Sequence, residues 1–150
     1  MRIQSALVRV AAVIAAAAGL TGCPADSCPL ETPAVTAMPS CTEPPNQEIL
    51  YPVRLCPTCN QTGASCAVDL SQVATGSIFL DIKAEACTDS NSCGGAGCAP
   101  GPTNCSFRTP ATPGTYQVIT SNAATGGTLQ SALVVATGVT PSCALPAAGL

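Results

Sequence analysis

The stretch Ser77-Ile78-Phe79-Leu80-Asp81-Ile82-Lys83-Ala84-Glu85 decides the fold. Ile78, Leu80, Ile82 and Ala84 fall on one side of an extended chain, and Phe79, Asp81, Lys83 and Glu85 on the other. A period of two marks a strand with one buried and one wet face; a helix would scatter both sets around its circumference. Ala74-Thr75-Gly76 just before it reads as a turn, preceded by Cys66, Val68 and Leu70 alternating with Ala67, Asp69 and Ser71. Earlier still, Tyr51, Val53 and Leu55 alternate with Pro52 and Arg54, and a proline with no N–H to give points to an edge strand. Downstream, Pro113 to Thr120 forms a strand after a turn. A loop through Asn122 and Gly126-Gly127 leads into Thr128–Ala136, completing a hairpin, and a short run from Val139 to Cys143 ends the domain. With no helical period after residue 22, the expected fold is all-β: a small antiparallel sandwich or open barrel of five or six strands.

Two segments lack such alternation. Residues 24–50 hold Pro24, Pro29, Pro33, Pro39, Pro44 and Pro45 among Ser, Thr, Ala and Glu, which predicts an extended, semi-rigid tether. Residues 87–114 combine four cysteines with glycines and prolines and are expected to be a long, covalently pinned loop. The expected organisation is a leader over 1–22, a tether over 23–50, a cysteine-rich β domain over 51–145 and a tail over 146–150.

The leader has Arg2 and Arg9, then the apolar run Val10–Gly19, then Leu20-Thr21-Gly22-Cys23. A charged start, a short apolar middle and a small-residue end make a secretory signal peptide, too short to span a bilayer. Its last four residues resemble the lipobox of bacterial lipoproteins. That resemblance implies cleavage before Cys23 and a lipid on its sulfur, so that Cys23 anchors the chain to a membrane. Two or more acyl chains hold stably where one holds marginally. Pro24 occupies the place where the family's inner-membrane retention signal, an aspartate, would stand; outer membrane or cell surface is the expected destination. Beyond residue 22, Arg54, Lys83 and Arg108 face eight acidic side chains, a net charge of −5. Nucleic acid is therefore not an expected partner, and lipid rather than charge must do the anchoring.

Eleven cysteines are an odd number. Assigning Cys23 to lipid leaves ten: Cys28, Cys41, Cys56, Cys59, Cys66, Cys87, Cys93, Cys98, Cys105 and Cys143. An even set in an exported chain reads as a disulfide framework, and Cys28 and Cys41 lie where one bridge could pinch the tether into a loop. Only Tyr51, Phe79, Phe107 and Tyr116 supply aromatic rings, so the bridges are expected to substitute for a thin core.

Catalytic chemistry lacks parts. Without histidine, Ser-His-Asp and Cys-His arrangements are impossible. Asp69 and Asp81 on neighbouring strands are the remaining carboxylate pair and read as solvated surface. Cys56-Pro57-Thr58-Cys59 has the spacing of a dithiol redox motif, which needs a helix directly after it to depress the first thiol's pKa; Asn60–Ser65 are poor helix formers. Zinc could look to Cys56, Cys59 and Cys66, or to Cys87, Cys93, Cys98 and Cys105, but a second tight Cys-x-x-Cys knuckle is missing. No cofactor or metal is expected. Finally, Pro113-Gly114-Thr115-Tyr116-Gln117-Val118 resembles the penultimate strand of immunoglobulin-like sandwiches, where a tyrosine near the strand's start packs at a corner. The chain thus reads as an envelope lipoprotein whose β domain is structural or binds a protein or envelope polymer. An extracytoplasmic thiol–disulfide protein using Cys56 and Cys59 is one alternative, and a disulfide-rich enzyme inhibitor presenting loop 87–114 is another.

Overall fold

The computed structural model describes residues 28–58, 61–86 and 101–147. These residues build ten strands: β1 (Leu30–Glu31), β2 (Ala34–Ala37), β3 (Ser40–Glu43), β4 (Glu48–Cys56), β5 (Gln61–Asp69), β6 (Ser77–Ala86), β7 (Gly101–Arg108), β8 (Gly114–Asn122), β9 (Gly127–Val135) and β10 (Ser142–Ala144). The one helical turn among the described residues is 3-10, Val73–Thr75, closed by Gly76 at φ 83°, where a residue without Cβ is at ease. The fold is all-β.

A curled seven-stranded sheet runs in the order β1-β6-β8-β9-β3-β10, with β5 on the other edge of β6, and a three-stranded sheet runs β2-β4-β7. Their inner faces enclose Tyr51, Val53, Ile78, Ile82, Val118 and Leu133, all essentially inaccessible to water. The alternation read in Ser77–Glu85 holds residue by residue: Ile78, Leu80, Ile82 and Ala84 are buried, and Asp81 and Glu85 are exposed. The β8–β9 hairpin pairs Gly114 with Val135 through to Asn122 with Gly127.

Several expectations are corrected. Residues 30–50 are not a tether: β1, β2 and β3 occupy most of the first half, and Pro33 and Pro39 are fully buried. The chain switches sheets at Met38-Pro39, where a ring with fixed φ and no N–H costs no ladder bond. The Pro39 carbonyl accepts from Tyr51 Oη at 2.9 Å and from the Ser131 hydroxyl. Burial pushes the Tyr51 phenol up to about 12. The second expected loop is a strand over Gly101–Arg108, where Cys105 and Phe107 point inward. The Pro52 strand is not simply an edge. β2 covers Arg54–Cys56 on one side of β4 and then leaves, so Pro52 meets a free edge there while pairing with Asn104 of β7 on the other side. Nor is the pairing wholly antiparallel: β3 runs parallel to β9, and β6 to β8 over Ser77–Leu80.

The registers define two ends. The lower end gathers the start of β1, the end of β4, the start of β5, the end of β6, the start of β7 and the β8–β9 turn. The upper end gathers the connections over 44–47, 70–76, 109–113 and 136–141. Tyr116 makes the expected corner at the upper end, its hydroxyl donating to the Thr112 carbonyl four residues back at 2.7 Å. Thr109 pins the neighbouring turn: its hydroxyl donates to Pro44 O at 2.7 Å and accepts from Gln47 N at 2.9 Å.

Candidate functional site

Two features of the described residues bear on function: the covalent frame and a groove on the outer wall of the larger sheet. Cys66 of β5 bonds Cys105 of β7, with Cα atoms 5.3 Å apart, and closes the seam between the two sheets. Cys41 of β3 bonds Cys143 of β10, with Cα atoms 4.2 Å apart, across directly paired positions. Cys28 and Cys56 are also disulfide-bonded. The expected pinch between Cys28 and Cys41 is therefore wrong: Cys41 lies in a strand, and its register partner is Cys143 rather than a neighbour in a loose spacer. Both zinc groupings lose a thiolate, because Cys66 and Cys105 hold each other. Cys23, Cys59, Cys87, Cys93 and Cys98 lie outside the described residues. Gln61 opens a strand, not the helix that a dithiol redox centre at Cys56-x-x-Cys59 would need to lower its first thiol's pKa. Such bridges form and persist in an oxidising compartment, so the domain is extracytoplasmic.

The groove, of about 420 Å³, lies where β6 and β8 part company. These strands pair in parallel only as far as Leu80 and Thr120; beyond that point β6 takes β1 as its neighbour, at Ala84 and Glu85. The buried Thr120 hydroxyl caps the last shared rung by donating to Leu80 O at 3.0 Å. Asp69, Gln72, Phe79, Asp81, Ser121 and Thr128 line the space. The pairings Ala67–Asp81 and Asp69–Phe79 put both aspartates on the same outward face as diagonal neighbours. Ser71 donates its backbone N–H to Asp69 Oδ1 at 2.8 Å, and this contact, with the Ser71 side chain, holds the Asp69 carboxyl below its ordinary range. Asp81 pairs with Lys83 Nζ at 3.2 Å, and the same ammonium donates to Thr32 Oγ1 at 3.1 Å.

That chemistry suits binding better than proton transfer. A general acid needs a carboxyl whose pKa is raised, and Asp69 is shifted the other way while Asp81 is engaged by an ammonium. Among the described residues, no group of three or more His, Cys, Asp or Glu side chains is arranged to hold a metal ion. The groove was missed in the sequence because it depends on where two strands separate; only the Asp69–Asp81 proximity was legible. No protein-family model, curated protein or solved structure matches the chain.

Proposed function

We propose that this chain is a lipid-anchored lipoprotein of a bacterial cell envelope, held at the outer membrane or cell surface, whose β domain is a non-catalytic structural or binding module. The observation that carries the reading is Leu20-Thr21-Gly22-Cys23 closing a charged-then-apolar leader, together with the odd eleventh cysteine that it accounts for. The covalent frame supports it. A domain stapled between its sheets and between β3 and β10 suits life outside the cytoplasm, where thiols are not kept reduced. The lining of the groove supports the non-catalytic half, since it offers acceptors and an aromatic ring without a carboxyl tuned for acid chemistry.

The test is the intact mass of the chain extracted from membranes of the expressing bacterium. Loss of residues 1–22 with a diacylglyceryl group and one or more further acyl chains on Cys23 is the expected result, and Cys23→Ser should leave the chain unlipidated. A mature chain with an unmodified Cys23 would overturn the proposal.

A further inference from the structure

We infer that the domain stands on the bilayer by its lower end, so that the lipid surface faces β1, the start of β5, the start of β7 and the β8–β9 turn. The inference rests on the lipid anchor proposed at Cys23, and adds which surface the membrane meets.

Chain length is the first argument. Seven peptide steps separate Cys23 from Leu30, a reach of about 25 Å at full extension. Leu30 pairs with Glu85 near the end of β6, at the lower end of the sandwich. Strand β6 has ten residues, so the upper end stands roughly 30 Å farther along the strand axis. An anchor this short, joined at one end, keeps that end nearest the headgroups.

Surface chemistry is the second. Leu30 is 62% exposed although it sits in a strand, placing an unburied aliphatic side chain beside the anchor. At the same end Leu55, Pro57, Ala64 and Pro102 line a recess of about 230 Å³ that is apolar except for Thr103. The wall of β5 and β6 carries Asp69 and Asp81 against Lys83, and exposed Glu31 and Glu85 beside Leu30 add negative charge at the lower end, so the anchor and not headgroup charge must hold that end at the bilayer. At the far end, residues 44–47, 70–76, 109–113 and 136–141 contain no Asp, Glu, Lys or Arg. The connections turned outward are therefore uncharged, and the exposed charges of that end, Glu48, Arg108 and Asp69, stand at the strand ends that flank them.

The experiment uses the lipidated chain, its mass established first, in phosphatidylethanolamine–phosphatidylglycerol vesicles with a headgroup nitroxide quencher. A fluorescent amino acid is placed singly at the exposed positions Leu30, Thr125, Leu50, Ala74 and Ala111. Quenching several-fold stronger at Leu30 and Thr125 than at Ala74 and Ala111 is the expected result. Equal quenching at both ends, with Leu50 quenched as strongly, would mean the domain lies on its smaller sheet and would overturn the inference. Stronger quenching at the upper end would overturn it as well. A chain whose mass shows no lipid removes the anchor itself, a failure the quenching data alone could not mimic.

Discussion

The side-chain amide of Asn122 pairs with the backbone of Val35 as another strand would: Nδ2 donates to Val35 O at 2.9 Å and Oδ1 accepts from Val35 N at 3.2 Å. One side chain at the end of β8 thereby joins the larger sheet to β2 of the smaller one, and Oδ1 also accepts from Ala124 N at 3.0 Å. Asn122→Ala leaves a buried donor and a buried acceptor of Val35 without partners, a loss of about 2–4 kcal/mol. Urea denaturation with disulfides intact should show the midpoint falling accordingly. An unchanged midpoint would mean that water or a shifted backbone replaces both bonds.

The two described bridges should differ in what they hold. Removing either by double substitution, Cys41→Ala with Cys143→Ala or Cys66→Ala with Cys105→Ala, should cost on the order of 2–4 kcal/mol. Hydrogen exchange separates them. Without the first bridge, protection should fade at β10, a three-residue strand that pairs only with β3. Without the second, it should fade along the seam of β5 and β7. Identical exchange patterns in the two variants would refute this division of labour.

Tyr116→Phe keeps the ring and deletes the bond from the hydroxyl to Thr112 O. The carbonyl is only partly buried and can recruit water, so the expected loss is about 1 kcal/mol, read as a lowered thermal midpoint. A loss as large as that of Asn122→Ala would show that the corner organises more of the upper end than this one bond.

Glu43 is buried at the end of β3, and desolvation raises its carboxyl above the ordinary 4.5. Between that value and the raised one, the folded chain holds a proton the unfolded chain has released. Its contribution to stability is therefore present at lower pH and lost as pH rises through the window. Asp69 acts in the opposite sense, its lowered carboxyl favouring the fold above 3.8 and losing that contribution as pH falls. Glu43→Gln isolates the first effect: the variant should be more stable than the parent at pH 7, with the gap closing at and below about pH 4.5. A gap that does not change with pH would show that packing, not charge, explains it.

The strands that were legible are those whose alternation runs long enough to stand out. β6, β8 and β9 each have nine or ten residues; the inward set of β6, Ile78, Leu80, Ile82 and Ala84, is unbroken, and Tyr116 with Val118 and Leu133 with Val135 mark the other two despite Thr120 and Ser131. Tyr116 was legible because a corner depends on a few adjacent residues. The misread segments share a different property. β2 and β3 are four residues each, so Val35 in one and Cys41 with Glu43 in the other give too few inward positions to show a period among the prolines. β7 begins Gly101-Pro102, and of its inward residues only Cys105 and Phe107 are buried. The groove was illegible for a further reason: it arises from a parallel pairing that stops at Leu80 and Thr120, and no local pattern records where two distant strands diverge.

Strand β3 lies between β9 and β10, parallel to one and antiparallel to the other. A piece that leaves a ribosome or an export channel early must wait for one that leaves much later, since Cys41 and Cys143 are 102 residues apart. A sheet completed by so distant a partner closes slowly, because the loop must be brought together before any pairing rewards it. The larger sheet therefore cannot be finished before β10 has emerged. A channel that takes the chain up earlier than that handles an open thread, whose shape closes only once β10 has docked beside β3.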